Sequence, residues 1–192
     1  MGLPYGFKAK SNRVALGYRK DLGLAPQDPL DFYALSVLLG IPIVRLSTFS
    51  TSHTIEVRQL TRVEPNAFSA VLIPIGAGQS IILVNDSHSI GRQNNSIGHE
   101  LSHVILLHPP SYSFGEAAIT ELSNYDRGIE GEANCLASYL LITDEAAWYI
   151  VTSNMPSIKA CRIYGVSNPM LQYRLNASGA RKRMARAAAK TG

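Results

Sequence analysis

Hydrophobic residues recur at the spacing of an α-helix in several parts of the chain. Phe32 and Leu35 lie one turn apart and begin such a pattern. The helix would start at Asp28-Pro29, a capping residue followed by a proline, and would end before Gly40. The sequence also predicts helices at residues 13–22, 96–108, 116–125, 130–141 and 143–150, and residues 1–12 are expected to be loosely ordered.

Runs of β-branched and aliphatic residues predict a small sheet. Residues 69–75 and 80–84 are separated by Gly76-Ala77-Gly78-Gln79, a glycine-containing loop of hairpin length. Residues 41–46 are predicted to form another short apolar strand, which follows the helix that stops at Gly40. Residues 85–95 are polar and predict a loop leading into the next helix.

These elements predict a mostly helical α+β fold, with a small antiparallel or mixed sheet beside the helix at residues 96–108. We find neither an internal repeat nor a low-complexity linker. We therefore assign residues 1–150 to one domain, and residues 151–192 to a C-terminal helical hairpin and basic tail that is packed on it or appended to it.

Composition is that of a globular protein. The 192 residues are 46% hydrophobic and 17% charged, which excludes intrinsic disorder for the chain as a whole. No apolar run is long enough to span a membrane, and residues 1–20 lack the apolar core of a signal peptide. The two cysteines do not make a disulfide framework. We expect a cytoplasmic protein that does not contact membranes.

The most informative stretch is His99-Glu100-Leu101-Ser102-His103. On a helix, His99 and His103 lie one turn apart on the same face, where two imidazoles can bind one metal ion, usually Zn²⁺. Glu100 is rotated away from them by roughly 100°. Its carboxylate could reach a water molecule at the metal, which is the position of a general base.

A catalytic zinc usually has three protein ligands and one open position. The later glutamates are the candidates for the third ligand, and Glu130 is preferred because Asn134 follows it by one helical turn. Asn134 could then orient a ligand through a hydrogen bond. Glu132 is the fallback ligand. The remaining candidates are Glu116, Glu121 and Glu145.

The two motifs together resemble the ImmA/IrrE family of zinc metallopeptidases. The resemblance rests on His99-Glu100-x-x-His103 followed by Glu130-x-x-Ala133-Asn134-x-x-Ala137, and it covers roughly residues 14–142. It implies a zincin-like fold, a Zn²⁺ cofactor bound by two histidines and one glutamate (His99, His103 and Glu130), and Glu100 as the catalytic base. Ser102, where the family often has glycine, and Leu136, where it often has phenylalanine, are departures outside the ligand set.

The resemblance further implies regulatory proteolysis. Members of the family cleave or inactivate a helix-turn-helix transcriptional repressor. The partner expected here is therefore a protein substrate of that kind.

The C-terminal region offers a different interpretation. Gly165-Val166-Ser167 lies between two helical segments, as in a helix-turn-helix, and Ser167 could cap the second helix. Gln172, Tyr173 and Arg174 would then be candidate DNA contacts, with weak phosphate contacts from the basic tail. We favour a hairpin that packs against the domain. The alternative functions are a non-catalytic DNA-binding or metal-sensing regulator and a toxin–antitoxin component.

Overall fold

The computed structural model describes residues 2–109 and 127–191 of the chain. The helices are α1 (Phe7–Asp21), α2 (Phe32–Leu38), α3 (Thr54–Arg58), α4 (Ile90–Ile105), α5 (Arg127–Leu141), α6 (Asp144–Thr152), α7 (Ser157–Tyr164), α8 (Asn168–Ala177) and α9 (Ala180–Thr191). The strands are β1 (Ile43–Arg45), β2 (Ala70–Gly76) and β3 (Gln79–Val84). The predicted α+β class is confirmed. The helix predicted at residues 116–125 lies outside the described residues.

The strands form one mixed sheet in the order β1-β3-β2. β1 is parallel to β3, and β2 is antiparallel to it, with Leu72 opposite Ile82. The predicted hairpin is present. Its turn residues, Ala77 and Gly78, have φ values of 51° and 73°, the two positive angles that a tight type I′ turn requires.

β2 is an edge strand, and its outer side offers few donors. The Leu72 N–H points away from β3 and donates to the Glu100 carboxylate at 3.1 Å. Pro74, two residues later on the same side, has no N–H to offer. A proline is tolerated here because its nitrogen faces away from the neighbouring strand.

Three helix starts differ from the predictions. α1 begins at Phe7, so the expectation of loose order throughout residues 1–12 is wrong. Its early turns are polar and lack an apolar stripe, but Asn12 is held by α6, where it accepts from the Asp144 N–H at 2.9 Å. α2 is capped by Asp31, which accepts from the Tyr33 N–H at 2.8 Å, and it does not begin at Asp28.

The third difference is at α4, which begins at Ile90 inside the predicted polar loop. Its first turns are held by tertiary contacts that the local pattern does not show. The Asn94 side chain donates to the Gly165 carbonyl at 3.0 Å. A Cβ on Gly91 would lie 2.7 Å from the Ser167 nitrogen, so the helix start and the α7–α8 turn are in direct backbone contact.

α5 lies at the centre of the core. Leu136 and Leu140 are fully buried, and α4 packs on α5 with Ile97 and Leu101 buried between the sheet and the helices. Buried arginines hold the C-terminal end of α5. Arg19 donates to the Leu140 carbonyl at 2.9 Å. Cations are favourable at this end of a helix because its carbonyls are partly negative.

The C-terminal hairpin packs into the same core. Leu171 and Leu175 of α8 are buried, and Ser167 caps α8 as predicted, accepting from the Met170 N–H. The Gly165-Val166-Ser167 turn faces α4, which favours the packing interpretation. The division at residue 150 stays a prediction.

Arg174, a candidate contact in the alternative DNA-binding interpretation, is buried and is not available to DNA. Its side chain is 1% exposed, donates to the Ile142 carbonyl at 2.8 Å and pairs with Asp144 at 2.9 Å. The guanidinium also stacks on the Tyr139 ring, 3.7 Å from its centroid. Arg174 therefore holds α8 to the C-terminal end of α5, as Arg19 does for α1.

Within residues 2–109 and 127–191, no helix is both long enough and apolar enough to cross a bilayer.

Candidate metal centre

α4 presents His99 and His103 from consecutive turns of one face. The opposite face is anchored by Ile97 and Leu101, both fully buried. Gly98 allows close packing there, because a Cβ at this position would lie 2.9 Å from the Phe32 ring. The two histidines are thereby directed towards α5, with their Nε2 atoms 3.1 Å apart.

Glu130 of α5 completes a cluster with the two histidines. One carboxylate oxygen lies 3.1 Å from His99 Nε2 and the other lies 3.4 Å from His103 Nε2. The candidate ligand atoms of the three residues all lie within 4.8 Å of one another. The structure thus brings together the residues that the sequence singles out as two histidine ligands and a third, carboxylate ligand.

Asn134 lies one turn after Glu130 and contacts the other nitrogen of His99. Its Oδ1 is 3.2 Å from His99 Nδ1. An amide oxygen can only accept, so this contact favours the tautomer with the proton on Nδ1, which leaves Nε2 for a metal ion. This is the orienting position predicted for Asn134.

The other candidate carboxylates do not join this cluster. Glu132 lies instead beside His108, with 3.5 Å between its Oε2 and His108 Nε2. Glu145 accepts hydrogen bonds from the Asn12 side chain. Glu116 and Glu121 lie outside the described residues.

Glu100 lies beside the cluster. Its carboxylate accepts a hydrogen bond from the Leu72 N–H of β2, which holds the side chain against the sheet. Burial raises the pKa of its carboxyl to about 7, and the nearby Glu130 carboxylate also raises it, whereas the Leu72 bond lowers it. Near neutral pH the group is therefore present both as carboxylate and as acid. A group with this pKa can accept a proton and return it.

His103 is kept neutral by its surroundings. Burial lowers the pKa of its imidazole to about 4, with further lowering from His99 and His108. Neutral imidazole is the form that binds a metal ion.

His108 is the residue that sequence reasoning missed. Its Nδ1 lies 3.1 Å from His103 Nδ1, on the side of that ring away from Glu130. Helical periodicity does not connect the two positions, which are five residues apart. In the sequence, Pro109 indicates only that the helix ends near His108, because a proline disfavours helical geometry at the residue before it.

Comparison with protein families identifies the fold. A peptidase-family model described as the IrrE N-terminal-like domain matches residues 45–176. The chain belongs to the ImmA/IrrE family. The ImmA/IrrE match covers more than half of the 192 residues and runs from β1 into α8. The chain therefore has a metallopeptidase-type fold. A comparison with curated proteins gave no match.

The donor set of the cluster fits zinc. It offers two neutral imidazole nitrogens and one carboxylate, the combination found in catalytic zinc sites with an open position. The two Nε2 atoms face each other at 3.1 Å, so one cation placed between them could be bound by both.

Proposed function

We propose that this protein is a zinc-dependent endopeptidase of regulatory type. The proposal rests on one observation, the convergence of His99, His103 and Glu130 within 4.8 Å beside a partly buried Glu100. The match to a peptidase family supports the same reaction class.

The three clustered residues would hold the metal, and the rest of the site would move the proton. Zinc, when bound, would polarise the scissile carbonyl and lower the pKa of water. Glu100 takes a proton from the attacking water and returns it to the leaving amine.

The substrate we propose is a protein, specifically a helix-turn-helix transcriptional repressor. This choice of substrate rests on the resemblance of the two motifs to those of the family. Peptide-bond hydrolysis in such a partner would remove its DNA-binding function, which makes the cleavage regulatory.

Metal content tests the site directly. Zinc would be measured by elemental analysis in the wild type and in His103→Ala and Glu130→Ala. The control is His53→Ala, because His53 is exposed and its ring nitrogen Nδ1 contacts the Ser52 hydroxyl, outside the cluster. We expect close to one zinc per chain in the wild type and in the control, and a large loss in the two ligand variants. Wild-type protein that binds no zinc after zinc is added back would refute the proposal.

Glu100→Gln tests the reaction. Because Glu100 is not among the clustered ligands, the variant should keep its zinc, but it should fail to cleave a candidate repressor that the wild type cleaves. Full cleavage by this variant would refute the assigned mechanism while leaving the metal site intact.

A further inference from the structure

The chain turns sharply back on itself at the end of α4. The Leu107 N–H donates to the Val104 carbonyl at 3.1 Å, and the His108 N–H donates to the His103 carbonyl at 2.9 Å. This pair of bonds defines a Schellman motif, in which the residue at Leu107 must adopt a left-handed conformation. Leu107 does so with φ of 56°, although its side chain is 88% exposed and gains nothing from packing.

The turn places the His108 ring against the His103 ring. In a Schellman motif the residues at these two positions usually make an apolar contact. Here they make a ring-to-ring hydrogen bond of 3.1 Å between the two Nδ1 atoms, with the ring centroids 5.0 Å apart. The His108 side chain is only 8% exposed, and its Nε2 faces the Glu132 carboxylate at 3.5 Å.

One arrangement of protons along this chain of groups leaves the Nε2 of His103 free to bind a metal ion. In this arrangement the Nε2–H of His108 faces the Glu132 carboxylate, 3.5 Å away, which can only accept. Neutral His108 then has a lone pair on Nδ1, which accepts from His103. His103 consequently carries its proton on Nδ1, and its Nε2 lone pair is directed at the cluster with Glu130.

We propose that His108, supported by Glu132, is a positioning residue that fixes the tautomer and ring orientation of His103. The inference rests on the proposed metal site, because the free Nε2 of His103 is useful only as a ligand. Asn134 contacts the Nδ1 of His99 and would position that ring in the same way. Each histidine ligand thus has its own partner, one an amide and the other an imidazole–carboxylate pair.

Two substitutions of His108 separate positioning from simple space filling. His108→Phe keeps the ring volume but removes the acceptor. His108→Asn loses volume but can place an amide oxygen near the former Nδ1. His53→Phe is the control, since it changes an exposed histidine outside the cluster.

Two measurements would be made on each variant. Zinc affinity would be obtained by competition with a chromophoric chelator, and the tautomer of His103 would be read from imidazole ¹⁵N chemical shifts in the metal-free protein. We expect His108→Phe to bind zinc about 10–100-fold more weakly and to lose the Nδ1–H tautomer of His103. His108→Asn and the control should stay close to the wild type in both.

Wild-type affinity and tautomer in His108→Phe, with weakened binding only in His108→Asn, would overturn the inference and leave the proposed function standing. A wild type that binds no zinc would instead overturn the proposed function. In that case the ¹⁵N shifts of the metal-free protein still decide whether His108 sets the tautomer of His103.

Discussion

Replacing Glu100 by glutamine should stabilise the metal-free protein at neutral pH. Glutamine matches the protonated carboxyl in size and charge, and its side-chain oxygen can still accept from the Leu72 N–H. The substitution therefore removes one property of Glu100, its ability to ionise where the side chain is partly buried. The free-energy cost of ionising Glu100 in the folded protein follows from its pKa, which burial raises from 4.5 to about 7.

The folded state binds the Glu100 proton more tightly than the unfolded state does, and this sets the direction in which stability changes with pH. The folded pKa lies above the unfolded one, so the stability gained from protonation is complete below pH 4.5 and is lost as the pH rises through about 7. A pKa difference of one corresponds to about 1.4 kcal/mol, so the loss amounts to about 3 kcal/mol once Glu100 is ionised. Glu100→Gln avoids this loss.

The assay is urea unfolding of the wild type and of Glu100→Gln, with a chelator present, at about pH 5 and about pH 8. We expect a difference of less than about 1 kcal/mol at the lower pH and of about 3 kcal/mol in favour of glutamine at the higher pH. Subtracting the wild type at each pH cancels the opposite trend from His103, whose lowered pKa makes the fold less stable in acid. Glu64→Gln changes an exposed carboxylate and should show no comparable difference. A pH-independent difference, or a less stable variant at about pH 8, would refute the reasoning.

Three further substitutions test the packing around the site by urea unfolding. Leu107→Gly should stabilise the protein by about 1 kcal/mol, because glycine adopts positive φ without strain, and a loss of stability would contradict the strained turn. Arg174→Met should destabilise it by about 3 kcal/mol by leaving the Ile142 carbonyl and its carboxylate partner unpaired, and a neutral effect would show that this contact is not structural. Gly91→Ala should cost about 1–3 kcal/mol, because its Cβ would lie 2.7 Å from the Ser167 nitrogen, and an unchanged midpoint would show that the α7–α8 turn can move away.

Much of the candidate site was predictable because its information is local. The spacing of His99 and His103, and of Glu130 and Asn134, places each pair on one helical face whatever the rest of the chain does. The choice between Glu130 and Glu132 follows from the same periodicity. The hairpin around Gly78 was predictable for a similar reason, since a tight turn needs residues that tolerate positive φ.

The remaining features depend on contacts between distant parts of the chain. Asn12 and Asn94 look like polar surface residues in the sequence, yet each bonds the backbone of a remote helix end and helps to fix where its own helix begins. His108 reaches His103 through a turn whose left-handed residue is a leucine, so the usual glycine signal is missing. Arg174 is a candidate DNA contact in the alternative interpretation because a sequence does not distinguish a buried arginine from an exposed one.

The outer side of β2 has a consequence for how copies of the protein behave in concentrated solution. An exposed strand edge is a template for pairing with another chain, and proteins protect such edges by withholding hydrogen-bonding groups. Here Pro74 supplies no donor, and Glu100 occupies the donor of Leu72. Truncating Glu100 to alanine would free that donor, whereas glutamine can keep it occupied, so the alanine variant should be the more prone to self-association. The same carboxylate that we assign to proton transfer would thus also protect the sheet from intermolecular pairing.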